Sequence, residues 1–287
     1  MKKSIQSLLI LAGLCTAGIC WLDVTYWIDP ISGFPQKGGI LIRYGALAAL
    51  CLLAVVASML SAKGVVSAGQ KNNWSAVASG LCGVAYTVAG ALRLANVIPT
   101  LQTILQSADR KLWMEMFRTS CGADILMGVF ALLSAWTLFA QCDFWHAAKA
   151  GESPVGGIYF AASGMLYLCG MAFERFLAHT SSMYRVYHIV QLLSVMIGLV
   201  FVLSLLRVCF FPETGRGRSC VRNGLICFYV CTCCELVFSI VQWTRGYVPL
   251  GDLLNSLILG AIGLLGLTYS LHQIDPGAVN EKSNLDE

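Results

Sequence analysis

The chain has 287 residues and a mass of 31.0 kDa, of which 57% are apolar and only 12% charged. Soluble domains carry roughly 25% charged side chains, and the mean hydropathy of +0.72 points the same way. These values exclude a disordered chain, a secreted disulfide scaffold, a coiled coil and an ordinary soluble enzyme, and they leave an integral membrane protein. The net charge of +4 is small and spread over loops, so nucleic acid is excluded as a partner.

A membrane helix needs about 20 mostly apolar residues. Eight stretches qualify, at approximately 5–27, 40–62, 75–98, 121–141, 155–177, 184–207, 222–243 and 250–271. The expected fold class is therefore all-α, a polytopic membrane helix bundle of eight transmembrane helices. It forms a single membrane domain over 1–287, with 273–287 as a short acidic tail. No loop is long enough to fold as a domain of its own.

The first stretch follows Met1-Lys2-Lys3-Ser4 and resembles a secretory signal. Leu14 precedes Cys15 and Ile19 precedes Cys20, where a lipobox wants a small residue, so the stretch is read as an uncleaved span. Asp29 to Gly39 holds two prolines and three glycines and reads as a chain reversal, with a lid over the polar face as the alternative. Thr100 to Ser120 places Leu101, Leu105, Leu112 and Met116 near one helical face, which predicts an amphipathic helix lying in the interface.

With the N-terminus inside, ten Lys and Arg residues flank spans on the cytoplasmic side against eight on the other. The Lys2-Lys3 pair and the Arg216, Arg218 and Arg222 cluster lie directly beside spans and set the orientation. The expected location is the cell membrane with both termini in the cytoplasm.

The halves of the chain share faint similarities. Arg43-Tyr44 opens span two as Arg185-Val186-Tyr187 opens span six. Ser75, Val77, Gly80 and Leu81 of span three align with Ser219, Val221, Gly224 and Leu225 of span seven. A parallel 4+4 duplication would make 5–142 and 155–272 half-repeats. Chance similarity among helices rich in Leu, Ala and Gly is the alternative.

Charge within the spans is one-sided. Asp23, Arg43, Arg93, Asp124, Glu174, Arg175, Arg185, His188, Glu235 and Asp252 all fall where odd spans end or even spans begin. Every helix thus carries an ionisable residue toward the same face, which is external under the topology above. Most of these residues stand within two turns of a span end, where an anchoring role at the interface is the ordinary reading. Glu235 differs, because no other charged residue lies between Cys227 and Trp243. Charge in hydrocarbon is expensive, so Glu235 is expected to face the bundle interior with a partner, and Arg93 is the natural candidate. The candidate binding cluster is Glu235, Arg93, Asp124, Glu174, Arg175 and His188, with no catalytic or metal residue.

Most of the thirteen cysteines lie in apolar runs and are expected to act as small hydrophobes. No spacing matches a zinc site. Haem would need histidines at matched depth on different helices, and only His188 lies clearly within a span, so no cofactor is expected. No HExxH motif, intramembrane aspartate pair or nucleophile–base set points to an enzyme. Two readings of function follow. The first is a protein that binds or transports a small polar or amphiphilic solute through a polar cavity open to the external face. The second is a non-transporting sensor, scaffold or subunit of a larger membrane complex. The implied partners are the lipid bilayer and a small-molecule solute, with a homo-oligomer or a membrane partner subunit under the second reading.

Overall fold

A computed structural model describes residues 2–29, 34–59, 72–106, 121–147, 157–178, 186–211 and 217–274. Eight helices run through them, with no strand beyond an isolated bridge between Ile28 and Pro35. They are α1 (Lys2–Leu22, continued as a π-helical turn Asp23–Trp27), α2 (Ile40–Met59), α3 (Asn73–Gln106) and α4 (Gly122–Ala147). Then follow α5 (Gly157–Ala178), α6 (Val186–Phe210), α7 (Gly217–Thr244) and α8 (Leu250–Ile274). Helices satisfy every backbone group internally, as hydrocarbon demands, and the chain is an all-α polytopic bundle.

Seven of the eight helices are long and apolar enough to cross a membrane. The other is α5, whose 22 residues suffice in length. Glu174-Arg175 near its end lowers its hydropathy. Its course is nevertheless transverse. Arg93 bonds both Asp124 at the start of α4 and Glu174 at the end of α5, so α5 begins at the far end of α4 and returns. Ser134 and Ser163 meet midway at 3.2 Å.

Local chemistry sets the ends. Asn72 caps α3, its Oδ1 accepting from the Ser75 amide at 3.1 Å. Gly246 closes α7 at φ +76, and the Tyr247 amide reaches back to the Gln242 carbonyl at 3.0 Å, the bond pattern of a Schellman end. Pro99 does not stop α3. The helix runs on through Thr100–Gln106, so this part of the predicted interfacial segment continues span three; 107–120 lie outside the described residues.

Helices α3 to α8 close a ring in chain order, α8 packing back on α3. The most buried members are α7 and α8, each 72% buried along its apolar window, against 17% for α1 and 11% for α2. Helix α1 lies on the π-helical part of α7, and α2 leans on the beginning of α7. The ring draws two helices from the first of the expected half-repeats and all four from the second.

Small residues allow the closest approaches. A Cβ placed on Gly266 would stand 2.5 Å from the Gly224 carbonyl oxygen, and one on Gly260 would stand 2.6 Å from Leu236 Cδ2. On the other side of the ring, a Cβ on Gly90 would stand 2.9 Å from that of Ala131. Contacts of this kind let backbones meet where the lipid offers no hydrophobic drive to associate.

Candidate functional site

The charged residues of the ring form one layer near the end where α3, α5 and α7 finish. Glu174 and Arg175 are adjacent on α5, so their side chains leave the helix about 100° apart. Each therefore meets a different neighbour. Glu174 takes both terminal nitrogens of Arg93, at 2.7 and 2.6 Å. Arg93 also reaches Asp124 Oδ1 at 3.0 Å. Arg175 donates to Glu235 Oε1 at 2.6 Å and to the Gln191 carbonyl at 2.6 Å.

The predicted Glu235–Arg93 pair is thus corrected. Glu235 does face the interior and does have an arginine, but it is Arg175. Arg93 is committed to Glu174 and Asp124 on the neighbouring side of α5. Arg93 and Arg175 both belong to the charged layer, and nothing in the sequence says which flank of α5 faces α7.

Neutral groups join the two ion pairs. The Arg93 guanidinium stands over the Tyr167 ring, 5.8 Å from its centroid. Tyr167 donates to Asn255 Oδ1 on α8 at 2.8 Å. The next residue, Ser256, donates to Glu235 Oε1 at 2.8 Å and accepts from Ser239 at 2.7 Å. Every helix of the ring supplies a member: Arg93, Asp124, the Tyr167/Glu174/Arg175 set, Gln191, Glu235 and Asn255. Tyr167, Asn255, Ser256 and Ser239 carry no charge, so they do not stand out from the spans in the sequence. Asn255 is the nearest to an exception, since it lies one turn past Asp252 in an otherwise apolar helix.

Exposure grades the layer. The side chains of Asp124 and Glu174 are 46% and 39% exposed, whereas Glu235 is fully buried. Glu235 Oε1 accepts two bonds, while Oε2 has no hydrogen-bond partner among the described residues. The carboxylate stands on a nine-residue π-helical stretch, Phe228–Leu236, and such stretches gather at functional sites. His188 lies half-buried on the first turn of α6, its ring 5.7 Å from that of Tyr187. Arg185 lies outside the described residues.

Beneath the layer, Tyr86 and Tyr167 meet edge to face at 5.2 Å. On their far side lies a cavity of about 40 Å³ whose polar lining includes Ser134, Thr137 and Gln141 of α4. That volume suits one or a few water molecules and no larger solute. The two tyrosines thus pack between the charged layer and this small cavity.

At the outer corner, Asp23 and Arg43 form a separate clasp. Arg43 Nε donates to Asp23 Oδ2 at 2.8 Å, and Nη1 and Nη2 bond the carbonyls of Gly38 and Lys37 at 3.1 and 2.9 Å. Five cysteines lie on α7, four of them between Cys227 and Cys234. Cys231 and Cys234 stand in a CxxC spacing, but their sulfurs face different neighbours. Cys231 Sγ bonds the Ser194 carbonyl at 3.3 Å, and Cys234 Sγ lies 3.4 Å from Cys20 Sγ. Both are buried in apolar packing. No protein-family model, curated protein or solved structure matches the chain.

Proposed function

We propose that the ring of α3 to α8 binds a small polar solute carrying a positive charge, either a cation or a zwitterion, and passes it across the membrane. The observation that carries this reading is the layer itself. Five helices bring four acids, Asp124, Glu174, Glu235 and Asp252, and two arginines, Arg93 and Arg175, to one level. Two part-exposed carboxylates, Asp124 and Glu174, both bond Arg93. An ammonium group can take the place of the Arg93 guanidinium on Glu174 or Asp124, and a carboxylate of the same solute can take up the freed guanidinium. The Tyr86–Tyr167 contact then serves as the inner barrier.

The test is uptake of labelled amino acids, polyamines and quaternary amines into proteoliposomes. Flux of at least one cationic or zwitterionic compound is expected, with loss on Glu174→Gln and on Arg93→Gln. Glu174 is part-exposed, so Glu174→Gln is expected to change stability by about 1 kcal/mol or less. Its flux defect then reports on the solute rather than on folding. Absence of flux or binding across the three classes would favour the scaffold reading.

The Lys and Arg flanks of the spans support an external layer with both termini in the cytoplasm. Reporter fusions after Lys63, Lys149 and Arg218 are expected to read as cytoplasmic, and a fusion near Gln36 as external. A cytoplasmic signal at Gln36 reverses the orientation.

A further inference from the structure

Helices α1 and α2 do not pack along each other among the described residues. They part and leave a cleft of about 880 Å³, floored by Val186 and Val190 of α6 and by Cys234 and Phe238 of α7. At the charged side the cleft is spanned by the Asp23–Arg43 clasp, with Lys37 beside it. Its walls are almost wholly apolar. Cys15, Ile19, Ala46 and Ala49 are exposed along it, so it opens to whatever surrounds the helices.

We propose that this cleft binds one acyl chain of an anionic membrane lipid, with the lipid headgroup at Lys37. The inference goes beyond the solute site and does not depend on it. Three observations identify the occupant. The first is length. The cleft runs from Asp23 to Ala12 along α1 and from Arg43 to Leu53 along α2. At 1.5 Å per residue these are about 16 and 15 Å. Half of a hydrocarbon core is about 15 Å thick. The cleft is thus one leaflet deep, as an acyl chain anchored at the interface requires.

The second is chemistry. An apolar void of this size within the hydrocarbon layer is filled from the only solvent there, which is lipid chains. The third is charge at the mouth. Arg43 is spent on Asp23 and on the carbonyls of Lys37 and Gly38. That pair is neutral. Lys37 is exposed and has no carboxylate partner among the described residues, so the rim carries one net positive charge. An anionic headgroup completes it, and a zwitterionic one brings no net charge to match.

The experiment uses the full chain in nanodiscs of phosphatidylcholine. A trace of phosphatidylglycerol or of phosphatidylcholine is added, each with a photoactivatable group on the acyl chain. Crosslinks are mapped by mass spectrometry. The phosphatidylglycerol probe is expected to label Cys15 to Cys20 and Ala46 to Leu53 several-fold more than the exposed face of α3 at Val77, Val84 and Val88. The phosphatidylcholine probe is expected to label the cleft several-fold less. Ala46→Trp and Ala49→Trp fill the cleft and should abolish the excess while leaving the α3 labelling unchanged. Lys37→Gln, on an exposed loop that tolerates change, should erase the preference between headgroups without lowering thermal stability in detergent. Equal labelling of the cleft and of α3, equal yields from the two headgroups, or an excess that survives both tryptophans overturns the proposal.

Discussion

Arg175→Gln is expected to destabilise the protein by about 3–5 kcal/mol, the range found when one partner of a buried ion pair is removed. Glu235 is fully buried, and both hydrogen bonds it accepts arrive at Oε1, one from Arg175 and one from Ser256. Without the guanidinium, the carboxylate keeps a single serine hydroxyl against the full cost of desolvation. Glu235→Gln should destabilise as well, because Arg175, 11% exposed, then keeps only neutral acceptors, the Gln191 carbonyl among them. The double variant should regain most of the stability lost by Arg175→Gln, since no uncompensated charge is left. Thermal unfolding in mild detergent reads all three. If the double variant is no more stable than Arg175→Gln, the pair does not hold α5 to α7. The part-exposed Glu174→Gln variant is the internal control for this comparison.

The second large effect is expected at Gly266. Leucine there should disrupt the seam between α7 and α8 and lower stability by about 3 kcal/mol or more, the upper end of overpacking. The added Cβ would stand 2.5 Å from the Gly224 carbonyl oxygen, 2.9 Å from its Cα and 3.0 Å from its carbonyl carbon. All three are backbone atoms, so no side-chain rotation relieves the contact. The helices must separate instead. Gly263 lies one turn away against the backbone of Cys227 and Phe228, so the opening would spread along the seam. Gly251→Leu is the matched control, because a Cβ there meets nothing within 4 Å. Equal melting temperatures for the two variants would show that the seam is looser than the structure places it.

Much of the architecture was legible because lipid imposes few solutions. Apolar runs of the right length mark the helices, and the alternation of spans alone puts Asp23, Arg93, Asp124, Glu174 and Glu235 toward one face. Pairing was not legible. Glu235 and Arg93 stand at matching depths, yet azimuth around each helix decides the partner, and azimuth depends on packing. The π-helical stretches at Asp23–Trp27 and Phe228–Leu236 shift that azimuth and leave no residue signature. The order of the ring was equally hidden, since similar stripes of Leu, Ala and Gly fit several neighbours. Gly224 and Gly266 were visible as small residues, but only the structure shows that they meet. The cleft between α1 and α2 lay beyond reach, because it arises from two helices that diverge while each remains a normal membrane span.

Glu174 and Arg175 are neighbours on one rigid helix, and that makes α5 a mechanical link. Turning α5 about its axis far enough to free Glu174 from Arg93 also drags Arg175 away from Glu235. The accessible ion pair and the buried one therefore open and close as a unit, although they face different neighbours of the helix. A solute that competes for Glu174 at the surface would exert a torque felt at the buried carboxylate. Its binding energy would be spent on both pairs, so the deeper part of the ring would respond to an occupant it never touches.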